Sequence, residues 1–459
     1  MQSSKTTTVP PHPVAKRMRM ATHLRHTLHL AWPSILGQLG HVIIGNADTI
    51  MIGRLGSTEL AAATLANAIF YLPILIGFGV CVAISPITSQ AIGADRPQEE
   101  IGRILHQGVL FSLYLGIVLA LALVGMTLLF PYLGQDPEVV GPAAEYLLIL
   151  TISTFPFLFF LTYKHFIEGY ELMLPGMVIM GFMVVLNIFL NWLFIYGNWG
   201  MPALGLNGAG WATLASRIVG TVILVAYVHR NPRFRGFGYF RQFWRHSRTH
   251  LQKIARIGLP SGMMYFFESG AFTAAVILAG RIGKDPQSAH QVAIQVAALA
   301  FMFYLGLAHA SGIRVGHALG RGDGPEMRRA GLAGLIAGLG CVALFVTLMT
   351  SLSEVIPGWY IQDEKVIAIA TPLLLIAALF QLFDGIQGIS AGILRGMSDV
   401  RIPTGITFVA YWAIGIPGAW FLGEYLNWGI SGIWYGLTIG LLFSAVALTL
   451  RFLYLSRIK

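Results

Sequence analysis

Twelve apolar runs divide this chain, each of at least the roughly 20 residues that a helix needs to cross a bilayer. Their approximate limits are 28–53, 60–91, 106–131, 143–168, 174–198, 208–229, 254–281, 287–317, 329–353, 366–394, 402–422 and 429–452. Hydrocarbon offers no partner to a free backbone N–H or C=O, so runs of this length are predicted to be helices. Composition agrees with lipid as the solvent: 56% of the 459 residues are hydrophobic and 11% charged, too few charges to cover a water-soluble globule. An all-α membrane protein with twelve transmembrane helices is the predicted fold class.

The net charge of +10 is explained by its distribution. If the N-terminus is cytosolic, Arg96, Arg103, Arg321, Arg328, Arg329, Arg395 and Arg401 all fall in inner loops, together with a basic connection between spans six and seven. The outer loops hold Arg54, Arg281, Lys284 and Lys365 against several acids. Lysine and arginine accumulate on the cytoplasmic side of membrane proteins, so both termini are predicted to be cytoplasmic, in a bacterial plasma membrane. The organisation expected is a cytosolic tail over 1–27, a first lobe over 28–229, a basic connection over 230–253, a second lobe over 254–452 and a tail over 453–459. The connection mixes Arg235, Arg241, Arg245 and Arg248 with Phe240, Phe243 and Trp244, which suits an amphipathic segment on anionic lipid rather than a nucleic-acid surface. His246 and His250 lie there without further ligands nearby, and Cys81 and Cys341 sit in apolar runs, so neither a metal site nor a disulfide framework is expected.

Sliding the chain against itself by 227 positions exposes a repeat. Pro33-Ser34 falls on Pro260-Ser261, Gly53-Arg54-Leu55-Gly56 on Gly280-Arg281-Ile282-Gly283, Gly79 on Gly306, Gly93 on Gly320 and Gly169 on Gly396. Six spans separate the copies, so the two six-helix halves share one orientation and are related by an axis along the membrane normal. Parallel halves of this kind suit a carrier that rocks one lobe against the other around a site near mid-membrane.

An acid in the middle of a span costs roughly 2.5–3.5 kcal/mol even on the lenient insertion scale, which makes it a functional candidate by default. Three qualify: Asp48 in span one, Glu268 in span seven and Asp384 in span ten. The repeat does not pair them; Glu268 falls on His41, Asp384 on Phe157 and Asp48 on Ala275. His41 is two helical turns from Asp48 and shares its face. A secluded carboxylate can hold a proton, a sodium ion or an organic cation, and occupancy by one disfavours the others, which is the logic of antiport. Asn46, Asn187 and Asn191 in the first half, and Gln381 and Gln387 beside Asp384, are candidates to complete an oxygen cage, with Glu268 and Asp384 as the sodium ligands.

Other charges carry less. Arg217 and Arg314 are expected to snorkel or pair near the cytosolic ends of their helices, and Lys164, His165 and Glu168 to form a polar cap or gate at that end of span four. His309 and His317 are read as structural. GLNGAG follows no strand, and the chain has no full Walker A pattern, so a self-contained ATP-driven pump is not expected.

Several segments resemble the multidrug and toxic compound extrusion (MATE) family, in particular its bacterial NorM-type branch. They are LAWPS and ADTIMIGRLGSTELAA in span one, SQAIGADR, EGYELMLPGM, VLNIFLNWLFIYG, GHALGRGD and FDGIQGISAGILRGMSDVRIP, in that order over nearly the whole chain. Lys164 departs from the pattern, standing where relatives commonly carry arginine. The resemblance implies two six-helix lobes, no enzymatic activity and no cofactor beyond a coupling ion. It implies efflux of cationic drugs by antiport against Na+ or H+, by a monomer. Carried over position by position, Asp48 would be the first-lobe coupling acid, supported by Asn187, and Glu268 with Asp384 the second-lobe cation site. The alternative, a flippase for lipid-linked precursors on a related scaffold, calls for a cationic cavity, whereas the spans here offer acids. A channel is disfavoured because lone acids in duplicated lobes suit alternating access better than a symmetric pore.

Overall fold

The structure, a computed structural model, describes residues 19–132, 134–234 and 246–458. Twelve of its helical segments are long and apolar enough to cross a membrane. In chain order the helices are α1 (Met20–Gly53), α2 (Ser57–Val82), α3 (Ile84–Gly93), α4 (Gln98–Thr127), α5 (Pro137–Gly169), α6 (Leu174–Tyr196), α7 (Gly205–Arg230), α8 (Arg248–Ile282), α9 (Lys284–Gly320), α10 (Gly324–Ser351), α11 (Ile356–Tyr360), α12 (Glu364–Gly396), α13 (Arg401–Phe408), α14 (Ile416–Trp420) and α15 (Gly429–Ile458). No strand occurs among the described residues. The second span is α2 and α3 joined at Ala83, and the eleventh runs through α13 and α14 with π-helical turns at Val409–Gly415 and Phe421–Tyr425.

Local chemistry fixes many of the ends. Asp136, Asp323 and Asp363 each accept a hydrogen bond from a backbone N–H in the first turn of α5, α10 and α12, satisfying donors that a helix start leaves open. Gly56 at φ 155° and Gly283 at φ 154° occupy the same unusual conformation just before α2 and α9.

That match belongs to a wider one. The limits of α9 follow those of the α2–α3 pair by 227 positions, as those of α12 follow α5. The duplication visible in the sequence is thus a duplication of helices. Where the halves meet, their contacts also come in related pairs. A Cβ on Gly79 would stand 2.3 Å from the Cα of Gly262, and one on Gly306 would stand 2.8 Å from the nitrogen of Ile35. A Cβ on Gly93 would lie 2.2 Å from the His317 carbonyl oxygen, and one on Gly320 would lie 2.3 Å from that of Gln90. Only glycine permits backbones so close.

Hydrogen bonds repeat the pattern. Gln90 donates through Nε2 to the Gly396 carbonyl at 2.8 Å, and the related His317 donates through Nε2 to the Gly169 carbonyl at 3.0 Å. On the face where the chain starts, therefore, α3 and α9 seal the junction between halves.

Several helix limits differ from those read in the sequence: α4 begins at Gln98 rather than near 106, α5 at Pro137 rather than near 143 and α8 at Arg248 rather than near 254. α1 begins at Met20 rather than near 28, its polar first turns anchored on the buried His23 and Thr27: Arg314 donates to the His23 carbonyl at 2.7 Å and to the Thr27 hydroxyl at 2.6 Å. α15 runs on to Ile458. Arg235, Phe240, Arg241, Phe243, Trp244 and Arg245 of the basic connection lie outside the described residues.

Candidate functional site

Asp48 sits on the buried face of α1 and is held by the first half alone. Its Oδ1 accepts from Asn191 Nδ2 at 2.6 Å and its Oδ2 from the Thr213 hydroxyl at 3.1 Å. Asn187 completes the network, its Nδ2 donating to Thr213 at 3.3 Å and its Oδ1 accepting from Asn191 at 3.3 Å. Asn187 and Asn191 are four apart on α6, the spacing that places two side chains on one helix face. Thr213 and Arg217 repeat that spacing on α7.

Arg217 does not snorkel. It lies halfway along α7, with its guanidinium carbon 4.7 Å from the centre of the Phe157 ring, 5.8 Å from that of Phe70, and Nη1 donating to Ser153 at 2.6 Å. His41 packs edge-on against Phe157 at 5.9 Å between ring centres, and its Nε2 is buried without a partner. Asn46 does not join this site: two residues before Asp48 it is turned by about 200° around the helix axis and lies exposed.

The second half is built differently. Glu268 on α8 and Asp384 on α12 are both buried and near enough for their charges to interact. Glu268 Oε1 accepts from the Tyr411 hydroxyl at 3.1 Å, while Asp384 Oδ1 has no partner. No cationic side chain approaches either acid to ion-pair distance among the described residues. Gln381 and Gln387 flank Asp384 one turn away on each side, both buried; Gln387 Oε1 and both polar atoms of Gln381 are unpartnered. Tyr304 of α9 faces Asp384 with its hydroxyl likewise unpartnered.

Two carboxylates, one with an unpartnered oxygen, two amides and two phenols form a polar cluster with no cation at ion-pair distance among the described residues. Buried charge is tolerated where it is paired, so this cluster is suited to a proton or a small cation.

The expected cap at the end of span four is instead a buried cluster at the junction of the halves. Lys164 Nζ stands 3.1 Å from Glu168 Oε1 and His165 Nδ1 2.7 Å from Glu168 Oε2. The His165 ring meets that of His309 edge-on at 5.5 Å, and His309 Nδ1 pairs with Gln38 Nε2 at 3.3 Å. His250 binds the Ser247 hydroxyl at 2.7 Å.

Sequence reasoning missed Tyr411, Thr213 and Tyr304. Thr213 was within reach, since an arginine inside an apolar run draws attention to its i−4 neighbour; Tyr411 lies in the π-helical stretch, where helical spacing gives no guide to facing.

A duplicated twelve-helix bundle with acids secluded between its helices has the architecture of a membrane carrier. The family model MatE matches residues 33–193 and again 260–421, once in each half. The probable multidrug resistance protein NorM of Rhizobium meliloti (strain 1021) is 36% identical over 443 residues, covering 95% of this chain and 94% of its own length. Its namesake in Xanthomonas campestris pv. campestris is 35% identical over 440 residues, covering 96% of each. Among solved structures, the eukaryotic MATE transporter AtDTX14 superposes with a TM-score of 0.84 at 21% identity, over 94% of this chain and 96% of its own. An outward-facing multidrug resistance MATE family transporter of the MOP superfamily gives 0.86 at 22%, over 96% and 99%. The chain belongs to the MATE family of transporters, which are not enzymes.

Proposed function

We propose that this protein exports organic cations and other small toxic molecules by antiport against an inward-moving cation, Na+ or H+, bound at Glu268 and Asp384. The observation that carries this reading is the contrast between the halves. Asp48 has both oxygens satisfied by neutral donors, whereas Asp384 retains an unpartnered oxygen next to a second acid. An arriving cation relieves the repulsion between two buried carboxylates; an organic cation relieves it equally well, so the two compete.

The names of the relatives support a multidrug substrate range. The lysine and arginine asymmetry supports a plasma-membrane orientation with both termini cytoplasmic. In that orientation the sealed junction of α3 with α9 closes the cytoplasmic side, and rocking of the two halves about it alternates access.

Reconstituted protein loaded with a fluorescent organic cation tests this. Efflux accelerates when a sodium or a pH gradient is imposed in the inward direction; indifference to both gradients overturns the antiport reading.

A further inference from the structure

Arg395 and Glu168 occupy equivalent places in the two halves, near the ends of α12 and α5, with opposite charge. Glu168 carries its counter-charges on its own helix: Lys164 four residues back and His165 three back take its two oxygens. The corresponding positions before Arg395 are Ala391 and Gly392, which offer none.

Arg395 is nonetheless buried, 5% exposed. It lies over the Tyr265 ring at 5.4 Å, its Nε has no partner, and no carboxylate reaches it at ion-pair distance among the described residues. The acid whose charge reaches it, Glu268, lies beyond ion-pair distance and is held by Tyr411, and Glu168 of the neighbouring cluster is already paired with two groups. Lys164, His165 and His309 thus share the charge of Glu168, and Arg395 is left with no acid at ion-pair distance among the described residues.

Beside Arg395 is a small cavity of ≈ 10 Å³, about the space that one water-sized particle fills. It lies between the halves, with Arg395, His309, Gly392 and Gly396 on one side and Ser85 and Pro86 on the other. His309 Nε2 is also unpartnered.

We infer that this cavity is a binding site for a small monovalent anion, chloride in particular. Arg395 and His309 are its donors, and the ion supplies the counter-charge that the first half builds from side chains. Because Val82, Ser85 and Pro86 of the first half close over the cavity, occupancy stabilises the arrangement in which the two halves are sealed on this face.

Thermal unfolding of the purified full chain in detergent tests the site without reference to transport. Gluconate is replaced stepwise by chloride at constant sodium concentration and ionic strength. Chloride is expected to raise the midpoint saturably, by about 2 °C or more, as for any ligand bound by the folded state. Ala391→Glu supplies the missing acid one turn before Arg395, a reversed copy of the Lys164 and Glu168 pair; it is expected to be at least as stable as wild type in gluconate and indifferent to chloride. Arg395→Gln is likewise expected to lose the response.

A wild-type midpoint that chloride leaves unmoved means that the cavity holds water only and overturns the inference, as does an undiminished response in Ala391→Glu. Should Arg395→Gln fail to fold, bromide diffused into wild-type crystals decides the location: an anomalous peak between Arg395 and His309 supports the site, and its absence there overturns it.

Discussion

Asp48, Glu268 and Asp384 are all acids buried in spanning helices, yet the groups around them give them different work. Asn191 and Thr213 hold both oxygens of Asp48, which makes its carboxylate a fixed part of the first half. The second-half acids have one clear donor between them, the Tyr411 hydroxyl on Glu268. That hydroxyl orients Glu268 and takes up part of its charge, at a typical worth of about 1.5–3 kcal/mol for a hydrogen bond to a charged group. Tyr411→Phe is therefore expected to change the apparent affinity for the coupling cation at least tenfold in equilibrium binding while leaving the unfolding midpoint within a few degrees of wild type; an unchanged affinity would remove Tyr411 from the site. The three acids were legible in the sequence because charge is rare in such runs, and Asn187 and Asn191 because their spacing gives them one face. Asn46 was misread because nearness along a helix is not nearness in space.

At the scale of the helices, the connections between halves rest on glycines whose role no helix-length reading reveals. Gly93 and Gly181 are both helical, but a methyl group on Gly93 would collide with the His317 carbonyl, and one on Gly181 meets nothing within 4 Å. Gly93→Ala is expected to lower transport at least tenfold by holding α3 away from α9, with tetraphenylphosphonium binding retained, while Gly181→Ala transports normally. Equal activities would show that the seal tolerates separation.

The turn after α5 adds a charge-dependent contact, with Glu171 Oε2 3.3 Å from His26 Nε2 of α1. Burial would raise the pKa of Glu171, but the hydrogen bond from His26 and the charges of His317, His26 and Arg314 outweigh it and hold the group below its usual 4.5. A lowered folded value contributes stability above pH 4.5 that is lost as pH falls through the folded value. The unfolding midpoint of Glu171→Gln should therefore lie below that of wild type near neutrality and converge with it in acid; a gap that persists in acid would assign the effect to packing. The first turns of α1 escaped the sequence reading for a related reason, since a polar segment gives no hydropathy signal even when Arg314 secures it.

In the whole molecule the 227-residue repeat was the most legible feature, because duplicated helices keep their lengths and their glycines while side-chain chemistry diverges. What the sequence left hidden is the way the halves differ around the related axis. One half hydrogen-bonds Asp48 through neutral donors, within reach of the Arg217 charge, and pairs Glu168 with Lys164 and His165. The other leaves Glu268, Asp384 and Arg395 without a partner of opposite charge at ion-pair distance among the described residues. The proposed exchange of one cation for another rests on that deficit in one half beside a settled framework in the other.

Competition at the deficit is the most direct test. Tetraphenylphosphonium binding to the purified protein is titrated at rising sodium, and separately at falling pH, in wild type and in Glu268→Gln/Asp384→Asn. At least one of the two small cations is expected to raise the apparent dissociation constant of wild type in proportion to its concentration without lowering the number of sites, and the double variant is expected to lose this dependence. Wild-type binding that neither cation displaces, or competition that survives in the double variant, would contradict this expectation.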